Sequence, residues 1–202
     1  MRFLPPWRRV TAPRVFVIGF NKTATRALTK LFRSNGIPTA HWDRNRLVST
    51  MLRNMERGER IFAGYDRRYR AFTDLTLVTD ARLIEGNRFF PQMDRDYPGS
   101  FFVLNNRDTD DWIASRMRHA DGRLLRRQMA ISGFSDPADA AALWREEKAD
   151  HERRVRSYFA GNPRFAEIDI DSTDVPRRLS VLLGEELDPR YWTTVGATRD
   201  GG

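Results

Sequence analysis

The sequence predicts an α/β fold of three layers, a central, mostly parallel sheet flanked by helices. Two short runs carry this reading. Val15-Phe16-Val17-Ile18-Gly19 and Ser100-Phe101-Phe102-Val103-Leu104 are continuously apolar over strand length. Such runs suit strands buried on both faces, as parallel sheets require. The third observation is alternation: segments with helical spacing separate the strand segments, the pattern of a parallel sheet covered on both sides.

Each element follows in order. Residues 1–13 hold Pro5, Pro6 and Pro13 and read as an irregular arm. Residues 14–195 read as one α/β domain, since 202 residues suit one compact domain better than two. After the first strand, Thr25 to Asn35 reads as a helix with Ala27, Leu28, Leu31 and Phe32 on its apolar stripe and Asn35-Gly36 as its stop. Ile37 to Trp42 is a second short strand, and 44–57 a helix carrying Leu47, Met51, Leu52 and Met55. Residues 71–78 read as a short strand entering a loop, 81–95 as a helix, and Tyr97-Pro98-Gly99 as a turn. Asp108 caps a helix reaching about His119. Asp136-Pro137 opens a long polar helix to about Phe159, with proline at its first position. A strand at 165–170 and a helix at 175–183 complete the series.

Composition narrows the classes. A 40% hydrophobic fraction excludes wholesale disorder. The absence of cysteine excludes disulfides, thiolate metal sites and cysteine nucleophiles. His41, His119 and His151 show no metal-ligand spacing, so no metal is expected. No segment approaches the ~20 apolar residues that span a bilayer, and the first residues lack a signal-peptide core, so a cytoplasmic protein is the expectation. The net charge of +8 favours anionic partners. Arginine supplies nearly all of it, beside only three lysines, and is spread along the chain without a nucleic-acid motif. Nucleic acid is therefore not the expected partner.

The chemistry lies at two loops. Gly19-Phe20-Asn21-Lys22-Thr23-Ala24-Thr25-Arg26 joins an apolar strand to a helix. Successive backbone N–H groups and a helix N-terminus there form a phosphate cradle. Against G-x-x-x-x-G-K-[ST], Gly19 fits, Ala24 replaces the second glycine, Thr25 the lysine and Arg26 the metal-binding hydroxyl. The scaffold is P-loop-like without the metal–nucleotide groups of a kinase. Further on, Asn105-Asn106-Arg107-Asp108 follows the strand at 100–104, and Ser115 comes eight residues after Arg107, about two turns into the next helix. A guanidinium fixed at a strand end can pair a phosphate bidentately; alone, Arg107 reads equally as a surface partner of Asp108 or Asp111.

Together these segments resemble the sulfotransferases that use 3′-phosphoadenosine 5′-phosphosulfate, especially the small bacterial ones. There a strand leads into Lys-[Ser/Thr]-Gly-Thr-[Thr/Ser] at a helix head, and Lys22, Thr23 and Thr25 match that run. The resemblance implies 5′-phosphate binding by the loop (Asn21, Lys22, Thr23, Ala24, Thr25, Arg26), with Lys22 stabilising the leaving bridge. It implies 3′-phosphate binding by Arg107 and Ser115, and a donor that needs no metal. Ala24 stands where the family has glycine, and Arg26 where it has a small hydroxyl residue. If position 24 needs φ > 0, alanine there costs on the order of 1 kcal/mol.

Transfer to a hydroxyl or amine needs a base. His41, with Asp43 nearby to orient it, is the first candidate, and related bacterial sequences carry a similar histidine. Asp74, a lone charge in an apolar stretch, is the second. His119 and His151, on polar helices, are expected to be solvated, as is the charged face from Asp139 to Arg156. The acceptor, a small molecule, lipid or glycan, is not readable, nor is the oligomeric state. Residues 43–75 and 120–140 are expected to frame its pocket, with Phe62, Tyr65, Tyr69 and Phe72 as apolar lining or as core. A nucleotide-binding protein without catalysis is the alternative from another class, and a small-molecule kinase the third.

Overall fold

The computed structural model describes residues 12–193; the proposed N-terminal arm lies almost wholly outside them, as do residues 194 and 195 at the end of the proposed domain. Five strands form one parallel sheet: β1 (Val15–Val17), β2 (Thr39–His41), β3 (Ala71–Thr73), β6 (Phe101–Asn106) and β7 (Phe165–Asp169), in the order β2-β3-β1-β6-β7. A separate antiparallel hairpin joins β4 (Thr76–Val78) to β5 (Leu83–Glu85).

Alternation along β1 divides the core. Phe16 and Ile18 face a cluster with α2 (Arg46–Glu56), α3 (Phe90–Asp96) and the end of α6 (Pro137–Tyr158), through Met51, Met93 and Val155. Val15 and Val17 face the opposite layer, built by α1 (Thr25–Ser34) and α7 (Val175–Leu183), through Leu28, Phe32 and Leu179. Neighbouring side chains on a strand point to opposite faces, so one five-residue run serves both layers. A third cluster holds Phe20, Trp112, Leu124 and Trp144, where α4 (Thr109–Met117), α5 (Arg123–Ser132) and α6 meet. Among the described residues, no helix is long and apolar enough to cross a membrane.

Three expectations need correction. Residues 81–95 are not one helix: β5, a 3-10 turn at Gly86–Phe89 and α3 share the segment. Thr79 turns the chain through its bond from N–H to the Arg82 carbonyl (2.8 Å), so Leu77 pairs Ile84 across the hairpin. Helix α5 has no counterpart in the sequence reading; only Leu124 and Gln128 of it are buried, too few for a stripe. Finally, α6 is not solvated along its charged stretch. Ala140, Trp144, Lys148, His151 and Val155 form a buried stripe, and the ionisable members hide it from hydrophobic periodicity. His119 is exposed, as expected, and His151 is buried.

Crossovers leave β1 toward β2 and leave β6 toward β7, in opposite directions across the sheet. Open α/β sheets bind ligands beyond the carboxyl ends of the strands at such a reversal, here β1 and β6. The loops at 19–25 and 106–109 both start there.

Candidate active site

The loop after β1 is held by its neighbour strand. Asn105, buried on β6, accepts from the Gly19 N–H through Oδ1 (2.8 Å). Its Nδ2 donates to the Thr23 carbonyl (2.6 Å) and Thr23 Oγ1 (2.5 Å). Only glycine fits at 19, because a Cβ there would lie 2.1 Å from the Asn105 carbonyl oxygen. Trp112 Nε1 donates to the Asn21 carbonyl (2.9 Å), tying the loop to α4. Beneath it, His151 Nε2 lies 2.7 Å from the Ile18 carbonyl, so that nitrogen carries the proton. Burial, before any charge, lowers His151 to about 4 and keeps it neutral.

This frame sets how each loop residue is presented. Lys22 and Ala24 adopt φ of +68° and +56°, a compact nest that places successive N–H groups together. Among the described residues, the N–H groups from Phe20 to Ala24 donate to no protein acceptor. The Thr23 hydroxyl is turned inward, donating to the Phe20 carbonyl (2.5 Å). Asn21 is buried and its Oδ1 has no partner. The Thr25 side chain hydrogen-bonds Asp74, and Arg26 is exposed. So the sequence-selected threonines spend their hydroxyls on protein, and the backbone, Lys22 and Arg26 remain for an anion.

Lys22, His41 and Asp74 come together, although 52 positions separate the first from the last. His41 ends β2 and Asp74 follows β3, the adjacent strand. His41 Nε2 lies 3.8 Å from Asp74 Oδ2, both side chains about one-fifth exposed. Hydroxyls fix the ring. Thr29 Oγ1 donates to the Thr25 carbonyl (2.7 Å), so it accepts from Thr73 Oγ1 (2.7 Å). Thr73 then accepts from His41 Nδ1 (2.9 Å), which leaves Nε2 with its lone pair toward Asp74. Burial, then Arg33 and Arg26, lowers His41 to about 4. Burial, then the Glu85 carboxylate, raises Asp74 to about 6, against hydrogen bonds from Thr76 and Thr25 and the charge of Lys22.

Glu85 was not selected from the sequence. It is buried, accepts from Thr76 Oγ1 (3.2 Å) and pairs with the fully buried Arg116 (2.9 Å). The Arg116 guanidinium lies between Trp112 and Trp144, 4.9 and 4.6 Å from their ring centroids. A buried charged pair inside aromatic walls leaves no periodic trace, and neither does Asn105. The one available signal was a polar pair, Asn105-Asn106, ending an apolar strand.

Arg107 leaves β6 beside this group. Its side chain is partly exposed, its Nε is buried without a partner, and its nearest carboxylate, Asp111, is 3.9 Å away. Lys22 feels burial first, then Arg26, Asp74, Arg107 and Arg118, and its ammonium is held below the usual lysine range. Lys22 and Arg107 therefore share one electrostatic environment. Ser115, half-buried on α4, makes no hydrogen bond among the described residues. A cavity of about 440 Å³ opens beside Arg107, lined also by Asn106, Thr109, Lys148, Asp169 and Arg178. Of the aromatic residues 62, 65, 69 and 72, Phe62 and Phe72 are core and the two tyrosines pack against it.

The family model described as a sulfotransferase domain matches residues 14–166, three-quarters of the chain, and includes both loops. No curated protein matches the chain. With a P-loop-like parallel sheet and a family match over three-quarters of its length, the chain belongs to the sulfotransferase family, whose reaction is the transfer of a sulfuryl group.

Proposed function

We propose that the sulfuryl donor is 3′-phosphoadenosine 5′-phosphosulfate and that the acceptor is a hydroxyl or amine held beside Asp74. The observation that supports this reading is that the loop at 19–25 and the end of β6 lie at the carboxyl ends of adjacent parallel strands, each with a cationic side chain. The loop at 19–25 offers unpartnered N–H groups with Lys22, and the end of β6 offers Arg107 with an unpartnered Nε. The donor has a phosphosulfate on one side of its ribose and a phosphate on the other, and two cradles match two groups.

The donor supplies an activated sulfuryl group and a stable leaving phosphate. The chain's own residues do the rest. Loop amides and the head of α1 bind the 5′-phosphate, and Arg26 adds a guanidinium. Lys22 meets the charge that grows on the bridging oxygen as the sulfur–oxygen bond breaks. Arg107 and Ser115 hold the 3′-phosphate. Asp74 takes the acceptor proton as the new bond to sulfur forms, since a base near 6 is better matched to neutral conditions than one near 4. His41 Nε2, unprotonated, accepts a hydrogen bond that orients the acceptor. This reverses the order of the two candidates in the sequence reading.

Calorimetric titration with 3′-phosphoadenosine 5′-phosphate tests the donor. We expect micromolar binding by wild type and loss of about tenfold or more in Arg107→Ala, the worth of one charge-assisted phosphate contact. Binding of adenosine 5′-monophosphate as tight as that of 3′-phosphoadenosine 5′-phosphate, or binding of the latter that Arg107→Ala leaves unchanged, would overturn the reading.

A further inference from the structure

Trp42 stands next to His41 at the carboxyl end of β2 and is 41% exposed. It begins four consecutive residues with positive φ: Trp42 +52°, Asp43 +47°, Arg44 +50° and Asn45 +71°. None is glycine, and L-residues disfavour this region at every step. The run persists because its surroundings fix it. Asn45 binds the Val78 backbone twice, donating to its carbonyl (2.8 Å) and accepting from its N–H (3.0 Å). The Tyr65 hydroxyl donates to Asp43. The Trp42 N–H donates to the Thr73 carbonyl (3.3 Å), one residue before Asp74.

The indole is anchored as well, since its Nε1 donates to Asn45 Oδ1 (3.1 Å). A large aromatic side chain is thus pinned by its polar edge while much of its ring meets water. Backbone strain held by three neighbouring segments, used to present an exposed tryptophan beside the proton-transfer pair, fits a ligand surface. An indole face recognises flat apolar faces of other rings, and its fixed edge removes the entropy cost of ordering it.

We propose that Trp42 is the acceptor platform, stacking on the flat face of a hydroxylated ring so that a ring hydroxyl reaches His41 and Asp74. The inference rests on the sulfuryl-transfer reading above and names its acceptor class. Aryl alcohols and pyranosides share the chemistry, and the test separates them.

In protein labelled with nitrogen-15 at its five indoles, the Trp42 signal is assigned by its loss in Trp42→Phe. 2-Naphthol and cellobiose are then titrated separately. The expected result is a saturable shift of the Trp42 signal with one of them, which also identifies the source of the ring. For ring acceptors that are turned over, Trp42→Ala raises KM by about tenfold and Trp42→Phe by no more than about threefold, since a phenyl ring keeps most of the stacking. The affinity for 3′-phosphoadenosine 5′-phosphate stays within about twofold in both variants. An unmoved Trp42 signal with both compounds, or an unchanged KM in Trp42→Ala, overturns the platform. Absence of nucleotide binding by wild type would instead sink the donor reading, and the indole titration would still decide for or against Trp42.

Discussion

Replacing Asp74 by asparagine should stabilise the protein at neutral pH while disabling it. Burial and Glu85 move the carboxyl from 3.8 to about 6. At ~1.4 kcal/mol per pH unit, the ionised group is about 3 kcal/mol worse off in the folded chain than in the unfolded one. The folded state binds this proton more tightly. Its stabilising effect is complete below about pH 4, falls as pH rises, and is gone above about pH 6. Asparagine keeps the neutral form at every pH, and it tolerates the φ of +53° at this position. Thermal unfolding at neutral pH should therefore rise by about 6–12 °C, at ~2–4 °C per kcal/mol for a chain of this size. Near pH 4 the gain should fall toward zero. The same variant should lose about 10²–10⁴-fold in kcat, the usual contribution of a positioned base. A less stable Asp74→Asn at neutral pH, or a gain that ignores pH, would refute the electrostatic account of this residue.

Three further outcomes follow from the same geometry. Ala24→Gly relieves a left-handed alanine worth roughly 1–2 kcal/mol, less the ~0.4–1 kcal/mol that glycine costs through the unfolded chain, so chemical denaturation should show a net gain of about 0.5–1 kcal/mol. Asn105→Ala removes three bonds to the anion loop and should cost about 2–4 kcal/mol, with weakened nucleotide binding measured in the surviving fold. The rate of transfer should rise with pH around an apparent midpoint near 6; a midpoint near 4 would give the proton to His41 instead.

What the sequence disclosed and what it hid divide along physical lines. Val15–Val17 and Phe101–Leu104 were legible because a strand buried on both faces must be apolar throughout. The helix at 175–183 matched α7 residue for residue, bounded by Asp174-Val175-Pro176 and Gly184. The positions of Lys22 and Arg107 just beyond the ends of β1 and β6 were legible because each follows an apolar strand run. Asn105, Glu85, Arg116 and His151 were not. Each is a polar side chain buried against a partner far away in sequence, and no spacing rule encodes such a partner. The strand at Leu83–Glu85 was missed for a related reason: three residues between Arg82 and Gly86 take their conformation from β4, not from local preference. Position 24 is the instructive intermediate. The sequence posed the question of a positive φ, and the fold answers it with +56°.

A crystal structure of the complex with 3′-phosphoadenosine 5′-phosphate tests the two-cradle arrangement most directly. The account places the 5′-phosphate within hydrogen-bond reach of the amides at 20–24 and of Lys22 Nζ, and the 3′-phosphate on the Arg107 guanidinium, now turned from Asp111. A nucleotide bound away from the carboxyl ends of β1 and β6, or one whose 3′-phosphate leaves Arg107 untouched, would contradict it.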